Sequence, residues 1–142
     1  MDTEKIEWFL RGNWAPLSEE KELNDLKVDG SIPTELDGIY VRTGPNPKDG
    51  KGSHWFLGDG MVHGIRLKKG KAEWYRNRFV QTPDITEPLT DPMAGLGDLR
   101  RGKGNTHVVA HNEQIMCLEE AHWPWTCLLY TSPSPRDLRV SR

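Results

Sequence analysis

The sequence has no long apolar run, few cysteines and no excess of charge of one sign. Its 142 residues include 19 Lys and Arg and 21 Asp and Glu, which gives a formal net charge of −2. Phosphate binding requires a clustered excess of basic residues, so this balance argues against a nucleic-acid-binding role. No apolar stretch approaches the ~18 residues of a membrane-spanning helix, and the N-terminus has acids where a signal peptide has basic residues. We therefore expect a cytoplasmic protein.

Cysteine is scarce, with two residues in the chain, Cys117 and Cys127. Two cysteines are too few to hold together a small secreted scaffold, and their spacing is not the C-x-x-C of a zinc ribbon or redox pair. We therefore predict free thiols. The sequence also contains no HExxH motif, nucleophile elbow or phosphate-binding loop, since Gly102-Lys103-Gly104 is too short to surround a phosphate.

Glycine, proline and tryptophan are abundant, at 14, 10 and 6 residues. They are typical of short strands joined by tight turns, because glycine accepts positive φ and proline ends strand pairing. Near the N-terminus, residues 17–30 predict a short helix, with Ser18 as the N-cap and Gly30 beyond its end. Because this segment is mostly polar, a weak surface helix and an irregular arm both remain open.

Alternating apolar residues predict a strand over residues 38–43, and three more over residues 53–67 and 71–82. Asp59-Gly60, which has apolar flanks, predicts a two-residue type I′ hairpin turn, a turn that requires positive φ at both positions. We expect these consecutive strands to form an antiparallel meander.

Further turns and connections divide the rest of the chain. Another turn is predicted at residues 68–71, where Lys-Lys-Gly-Lys separates two strand patterns. Residues 81–104 are rich in proline, glycine and charge without a sustained period, which predicts a long connection, and such connections are often functional. Residues 105–120 predict a hairpin with its turn at residues 111–113. Because the tail contains Ser-Pro-Ser-Pro and no amphipathic period, residues 127–142 are expected to be non-native or disordered.

Four histidines, His54, His63, His107 and His111, are candidate metal ligands. His107 and His111 form H-x3-H, which suits a metal when it lies on a helix. On the predicted strand, however, they lie ~13 Å apart at ~3.3 Å per residue, too far to share an ion. His54 and His63 flank the predicted turn without being direct cross-strand neighbours. Histidines that are hydrogen-bonded within a sheet are the favoured interpretation.

Asp59, Glu119 and Glu120 are candidate catalytic carboxylates. An Asp before Gly in a turn usually hydrogen-bonds its own backbone, which disfavours Asp59 as a general base. Glu119 and Glu120 end a predicted strand, whose alternation sends one carboxylate to each face. A carboxylate that faced inward beside Cys117 would need a cationic or N–H partner, and the second nitrogen of a metal-bound histidine would serve.

Three segments occur in a recognisable order over residues 32–124: IPTELDGIYVRTGPNP, HWFLGDGMVHGIRLKKGKAEWYRNRFVQT and GNTHVVAHNEQIMCLEEAHWP. In these segments the chain resembles the N-terminal quarter of the carotenoid cleavage oxygenases, a family that includes lignostilbene dioxygenases and the retinoid isomerase of the visual cycle. The resemblance implies an all-β fold, the N-terminal blades of a seven-bladed β-propeller. The propeller is incomplete in this chain, because one blade takes ~40–50 residues.

The resemblance also implies a non-haem Fe(II) dioxygenase that cleaves a conjugated C=C bond of a carotenoid or apocarotenoid with O₂, giving two carbonyl products. In the family, four histidines from different blades hold the iron, and glutamates orient these ligands. This chain lacks the Ala-His-Pro segment that carries the first ligand, and the four histidines above belong to framework motifs. The Fe(2+) ligands are therefore expected outside this sequence, and the chain alone is expected to be inactive.

Three site residues follow from the resemblance. Glu120 aligns with the family's first glutamate that orients an iron ligand, which implies a catalytic role through that histidine. Glu119 lies where lignostilbene-cleaving members have a lysine that contacts the phenol oxygen, so it is implied to contact substrate. A glutamate at this position favours a carotenoid or apocarotenoid over a hydroxystilbene. Phe56 is implied to lie near the substrate tunnel.

The implied partners are an apolar polyene or related small molecule and O₂, with a peripheral membrane contact in the full-length protein. No nucleic acid and no obligate protein partner are expected. The chain thus divides into an N-terminal arm (1–31), a partial propeller (32–126) and a tail (127–142). The alternative from a different class is a small all-β binding or interaction module without catalysis, with its tryptophan-rich strands as the ligand face. A lactonase-like propeller hydrolase would share the fold but not the three motifs.

Overall fold

The computed structural model describes residues 6–91, 95, 97–112 and 114–127. Within them the chain forms two antiparallel sheets. The strands are β1 (Glu22–Asn24), β2 (Gly38–Pro45), β3 (Gly60–Lys68), β4 (Lys71–Phe79), β5 (His107–His111), β6 (Gln114–Leu118) and β7 (Trp125–Cys127). A one-turn helix, α1, spans Pro83–Thr86, and 3₁₀ turns lie at Trp8–Leu10, Gly12–Trp14 and Leu99–Arg101. Among the described residues, no helix has the length and apolar character needed to cross a membrane.

The first sheet has the strand order β1-β4-β3-β2, with antiparallel pairing throughout. An antiparallel meander forms as predicted, but its three consecutive strands are β2, β3 and β4, so β2 takes the place of one of the two strands predicted within residues 53–67. β2 pairs with β3 from Gly38, opposite Leu67, to Pro45, opposite Gly60. The strand predicted over residues 38–43 is therefore confirmed and extends two residues further.

The hairpin turn predicted at Asp59-Gly60 is wrong. β3 begins directly after Asp59 and pairs with β2, so residues 46–59 form the connection between these strands. Residues 53–67 therefore contribute one strand rather than two. Tertiary contacts override the local Asp-Gly preference, because the Asp59 carboxylate accepts hydrogen bonds from the Lys48 N–H and from the Lys103 ammonium, each at 3.0 Å.

The turn that does have hairpin geometry joins β3 to β4 at Lys69 and Gly70. Their φ values are 49° and 76°, and a two-residue type I′ turn requires positive φ at both central positions. Lys68 lies opposite Lys71 at the base of the turn. The turn predicted at residues 68–71 is confirmed.

The helix predicted over residues 17–30 is wrong. Its middle forms β1, which pairs with β4 so that Leu23 lies opposite Tyr75. The edge of β4 offers this segment backbone hydrogen bonds and an ionic partner, since the Arg76 guanidinium lies 2.7 Å from the Glu22 carboxylate. A helix without an apolar face would gain little from packing on the sheet, so the segment pairs as a strand instead.

Two asparagines, Asn46 and Asn77, form side-chain hydrogen bonds to the backbone of the N-terminal arm. The Asn46 side chain accepts from the N–H of Leu17 and donates to its carbonyl, both at 2.8 Å. Asn77 is fully buried, accepts from the Lys21 N–H at 2.5 Å and donates to the Glu19 carbonyl at 3.0 Å. Side-chain amides thus satisfy arm backbone groups outside β1.

The second sheet has the order β5-β6-β7, again antiparallel. The predicted hairpin is confirmed, since His107 lies opposite Leu118 and Asn112 turns the chain with a φ of 47°. Cys127 is buried within β7, so the first residue assigned to the predicted tail belongs to the sheet. Residues 128–142, which make up the rest of that tail, lie outside the described residues.

The two sheets share one apolar core. Its buried members are Val62, Val80, Ile115, Cys117, Trp125 and Cys127. Both cysteines are free, as predicted. The hydrogen bond between the two thiols, together with burial, raises the pKa of Cys117 well above its ordinary value. A buried thiol of this kind acts as a small apolar group rather than a nucleophile.

The long connection predicted over residues 81–104 is confirmed in the part of it that the structure describes. It contains α1, which begins at Pro83, and the 3₁₀ turn at Leu99–Arg101. The Arg101 guanidinium donates to Asp84 at 2.9 Å, which folds the end of the connection back onto its beginning.

Candidate functional site

Residues 102–106, Gly-Lys-Gly-Asn-Thr, lead from the long connection into β5, and we call them the junction segment. Asn105 within it is 6% exposed. Its amide donates to the carbonyl oxygens of Phe56 at 2.9 Å and Gly58 at 2.7 Å. The junction segment therefore fixes the loop that precedes β3, although about fifty positions separate the two in sequence.

Glycines allow these backbones to approach each other. A Cβ on Gly60 would collide with the carbonyl oxygen of Lys103 and lie 2.9 Å from that of Gly104. A Cβ on Gly102 would collide with Cβ of His122. Gly104 has a φ of +60°, which favours glycine over residues with a side chain. The close contact at the junction segment depends on the absence of side chains.

Lys103 is the charged centre of the site. Its ammonium lies 3.0 Å from the Asp59 carboxylate and 2.8 Å from that of Asp84, which Arg101 also contacts. Burial alone would lower the pKa of Lys103, but hydrogen bonds to Asp84 and Asp59 raise it above its ordinary value. Burial would raise the pKa of Asp84, whereas bonds from Lys103 and Arg101 lower it. Lys103 and Asp84 are therefore both charged near neutral pH.

Glu119 is half-buried, and each of its two carboxylate oxygens has a hydrogen-bond partner. Oε2 accepts the N–H of Lys103 at 2.5 Å, and Oε1 lies 2.8 Å from Nδ1 of His122. Because a carboxylate only accepts, this contact places the proton of a neutral His122 on Nδ1 and leaves Nε2 with its lone pair. The inward-facing carboxylate of the sequence analysis is thus Glu119, with an N–H and an imidazole as its partners.

Glu120 is exposed and, like Glu119, lies beyond the end of β6 at Leu118. Its Oε2 lies 3.1 Å from the Thr106 hydroxyl, which also lies 3.2 Å from Oδ1 of Asn105. The single hydroxyl proton donates to one of these acceptors at a time. Oε1 of Glu120 makes no hydrogen bond within the part of the chain that the structure describes.

A cavity of about 580 Å³ adjoins the site. Pro88, Leu89 and Leu99 form its apolar side, and Arg101, Lys103 and His122 form its polar side. The long connection and the residues after Glu120 therefore line an open pocket beside the Glu119–His122 pair.

The four candidate histidines of the sequence analysis lie in β3, at the two ends of β5 and in the loop before β3. His63 is hydrogen-bonded within the first sheet, as predicted, with Nδ1 2.8 Å from the Tyr75 hydroxyl. Burial, and then the charge of Arg42, lowers the pKa of His63 to about 4. His107 and His111 occupy opposite ends of β5, and His54 lies in the loop before β3. Among the described residues, no three His, Cys, Asp or Glu side chains are grouped closely enough to hold a metal ion.

Comparison with known proteins identifies the fold and the family. The family of the retinal pigment epithelial membrane protein matches residues 14–131, most of the chain. A carotenoid cleavage oxygenase of Mycobacterium tuberculosis is 45% identical over 120 residues, which are 80% of this chain and 24% of that protein. The chain belongs to the carotenoid cleavage oxygenase family.

Other members of the carotenoid cleavage oxygenase family are also similar to this chain in sequence or in fold. The carotenoid 9,10(9',10')-cleavage dioxygenase 1 of Phaseolus vulgaris is 34% identical over 152 residues, 86% of this chain and 28% of that protein. The lignostilbene dioxygenase of Pseudomonas brassicacearum superposes with a TM-score of 0.71 at 28% identity, over 87% of this chain and 29% of that one. This chain therefore spans about a quarter of the length of the relatives it matches, and its two sheets are blades of an incomplete β-propeller. Membership of an enzyme family disfavours the binding-module alternative.

The junction segment brings together the three site residues that the resemblance to carotenoid cleavage oxygenases implied. Asn105 holds the backbone of Phe56, the Lys103 N–H holds Glu119, and Thr106 holds Glu120. The Phe56 ring is 62% exposed, beside Trp55.

Sequence reasoning missed Lys103, Asn105, Thr106 and His122. The available signal was Gly102-Lys103-Gly104, which was considered only as a phosphate-binding loop and rejected as too short, and not as a site of close backbone contact.

Proposed function

We propose that the full protein is a non-haem Fe(II) dioxygenase that cleaves a conjugated C=C bond of a carotenoid or apocarotenoid with O₂. The observation that carries this proposal is the convergence of three family segments on one junction segment, which places Phe56, Glu119 and Glu120 around it. The relatives named as carotenoid cleavage enzymes support the substrate class. A cytoplasmic location, with a peripheral membrane contact that gives access to apolar substrate, remains part of the proposal.

The described residues of this chain do not fit an iron site, because no three of their His, Cys, Asp or Glu side chains are grouped closely enough to hold a metal ion. The proposal therefore places the ligand histidines outside this chain. Bound to neutral imidazoles with open positions, Fe(II) would supply the activation of O₂.

Glu120 is the residue of this chain that we assign to the iron centre, as a positioning residue. One oxygen is held by Thr106 at 3.1 Å, which orients the carboxylate, and Oε1 makes no bond among the described residues. A metal-bound imidazole commonly donates its second N–H to a carboxylate, and Oε1 would accept that proton. Glu119 is less suited to this role, because both of its oxygens already have partners.

The test uses the full-length protein, assayed for aldehyde products and for bound iron. We expect Glu120→Ala to lower iron affinity or activity by roughly 10- to 100-fold, the usual effect of removing such a partner. Glu120→Asp should restore part of the loss. Glu35→Ala, at an exposed glutamate that precedes β2, is the control and should leave both iron content and activity unchanged. Unaltered iron content and rate in Glu120→Ala would refute the role.

Iron analysis of the purified 142-residue chain tests the placement of the ligands. We expect no stoichiometric iron after dialysis. A monomer that retained one Fe(II) with four nitrogen ligands would contradict the proposal.

A further inference from the structure

We propose that the face of the first sheet turned away from the second sheet docks the last β-sheet of the full-length protein, and that the docking surface is apolar with a carboxylate opposite Arg42. We call this the distal face, and its side chains are Leu23, Tyr40, Arg42, His63, Ile65 and Tyr75. The proposal concerns closure of the propeller. It needs neither iron nor the cleavage reaction, so it holds or fails independently of the proposed function.

The strand register separates the two faces of the first sheet. Val62 belongs to the apolar core that the two sheets share, and Val41 packs against that core. Side chains alternate along a strand, so the residues next to these valines point to the distal face. There one row of directly opposed residues crosses all four strands, in the order Leu23, Tyr75, Ile65 and Tyr40.

The row across the distal face is apolar and open. Tyr40 is 60% exposed and Leu23 is 49% exposed. At the other end of the same face the N-terminal arm covers the sheet, where Met61 and Asn77 are fully buried and the Asn77 amide donates to the Glu19 carbonyl. A contiguous exposed apolar surface on a folded sheet marks a place where a partner packs.

The partner that fits this face is the remainder of the same protein. The chain spans 24% of the Mycobacterium tuberculosis relative and 29% of the lignostilbene dioxygenase chain. In a propeller the sheets are arranged radially around one axis, so each sheet has a neighbour on both faces. The second sheet, which follows the first in sequence, covers one face. Closure of the ring therefore brings the last sheet of the full-length protein onto the distal face.

Arg42 determines the charge that the docking surface must carry. It is exposed, lies directly opposite His63, and has no ion-pair partner among the residues that the structure describes. An apolar surface laid over this guanidinium would bury an uncompensated charge, which is strongly unfavourable. A carboxylate on the docking surface removes that cost and gives a charge-assisted hydrogen bond.

A second copy of this chain is a poorer partner for the same face. A symmetric dimer would bring the same patch of both copies together. The row of opposed residues that contains Arg42 continues through His63 and Asn77, and it carries no carboxylate. The distal face therefore complements a different surface better than it complements itself.

The first test measures whether the distal face is covered in the full-length protein. Tyr40→Cys is treated with a maleimide, and the labelled peptide is quantified by mass spectrometry in native buffer and in urea that unfolds the protein. We expect the native protein to react roughly tenfold more slowly than the unfolded one, because a covered thiol reacts only when the interface opens. Lys51→Cys, at an exposed lysine of the loop before β3, should react at similar rates in both.

Equal rates for Tyr40→Cys in native buffer and in urea would overturn the proposal. Protection that disappears when a dimer is diluted to monomers would assign the face to a second copy. Protection that appears only when phosphatidylcholine vesicles are added would assign it to a lipid surface. Either of these two results also overturns docking by the last sheet.

The second test addresses the carboxylate. In the full-length protein, Arg42→Gln should lower the thermal midpoint, because it leaves the opposing carboxylate without its cation. Arg42→Glu should lower it further, because two carboxylates then face each other. Lys51→Glu, the matched control, should leave the midpoint unchanged. Equal midpoints for wild type, Arg42→Gln and Arg42→Glu would show that no carboxylate lies opposite Arg42.

Discussion

The ammonium of Lys103 lies 3.0 Å from the Asp59 carboxylate, across 44 residues of sequence. It is also 2.8 Å from Asp84, so one cation joins the loop before β3 to the long connection. The three side chains are between 19% and 28% exposed, which limits solvent screening of the pairs.

Replacing this cation should destabilise the chain. In Lys103→Met, two carboxylates face each other without their shared partner, and we expect a loss of roughly 1–3 kcal/mol in the free energy of unfolding. Urea denaturation followed by tryptophan fluorescence measures it. Lys51→Met, at an exposed lysine, should change stability little, and an equal effect of both substitutions would show that the bridge contributes nothing.

Gly60→Ala should be destabilising, because the added Cβ would collide with the backbone oxygen of Lys103. A backbone atom cannot move aside as a flexible side chain does, so we expect a cost of about 1–3 kcal/mol in thermal or urea unfolding. Gly38→Ala is the matched control, since a Cβ there meets nothing within 4 Å. A Gly60→Ala chain as stable as Gly38→Ala would mean that the junction segment does not pack against β3.

Asn105→Ala removes the donor that two carbonyl oxygens share, at Phe56 and Gly58. Buried carbonyl groups left without a donor cost roughly 1–3 kcal/mol, and the loop before β3 should become more mobile. Hydrogen exchange of residues 54–59 and urea unfolding report these effects. Asn13→Ala, at an exposed asparagine of the arm, serves as comparison, and unchanged exchange in Asn105→Ala would contradict the assigned anchor role.

The stability of the chain should depend on pH through His63. Burial, and then Arg42, lowers its pKa from 6.5 to about 4, so between these values the unfolded chain binds more protons than the folded one. His63 therefore contributes full stability above about pH 6.5, and this contribution decreases as the pH falls towards 4.

In His63→Gln, the slope of unfolding free energy against pH should be shallower across that window. His111→Gln, at an exposed histidine, should keep the wild-type slope. Identical slopes in wild type and His63→Gln would show that His63 does not titrate with a lowered pKa.

Local sequence determined the second hairpin, the turn at Lys69 and Gly70, and the strand that starts at Gly38. Each follows from apolar alternation over a few residues or from a residue that tolerates positive φ, and both are properties of the neighbouring chain. The three family segments could also be recognised from the sequence, because a motif is defined by the residue types it contains and by their order.

Tertiary structure decided the turn at Asp59 and the fate of residues 17–30. The Asp-Gly signal is strong locally, yet Lys48 and Lys103 hold Asp59 in a long connection instead. Likewise, the segment with the helical pattern forms β1 instead, because it pairs with the edge of β4. In both cases the deciding partner lies far along the chain, where a local window contains no information about it.

The candidate site was determined partly by the sequence and partly by the tertiary structure. Sequence and resemblance named Phe56, Glu119 and Glu120, but not the atoms that position them. In the folded chain Glu119 contacts His122 and Glu120 contacts Thr106, although both glutamates lie beyond the end of β6, where strand alternation no longer applies. The partners of Glu119 and Glu120 depend on where the junction segment lies. The glycines of that segment permit a close backbone contact that residue types alone do not specify.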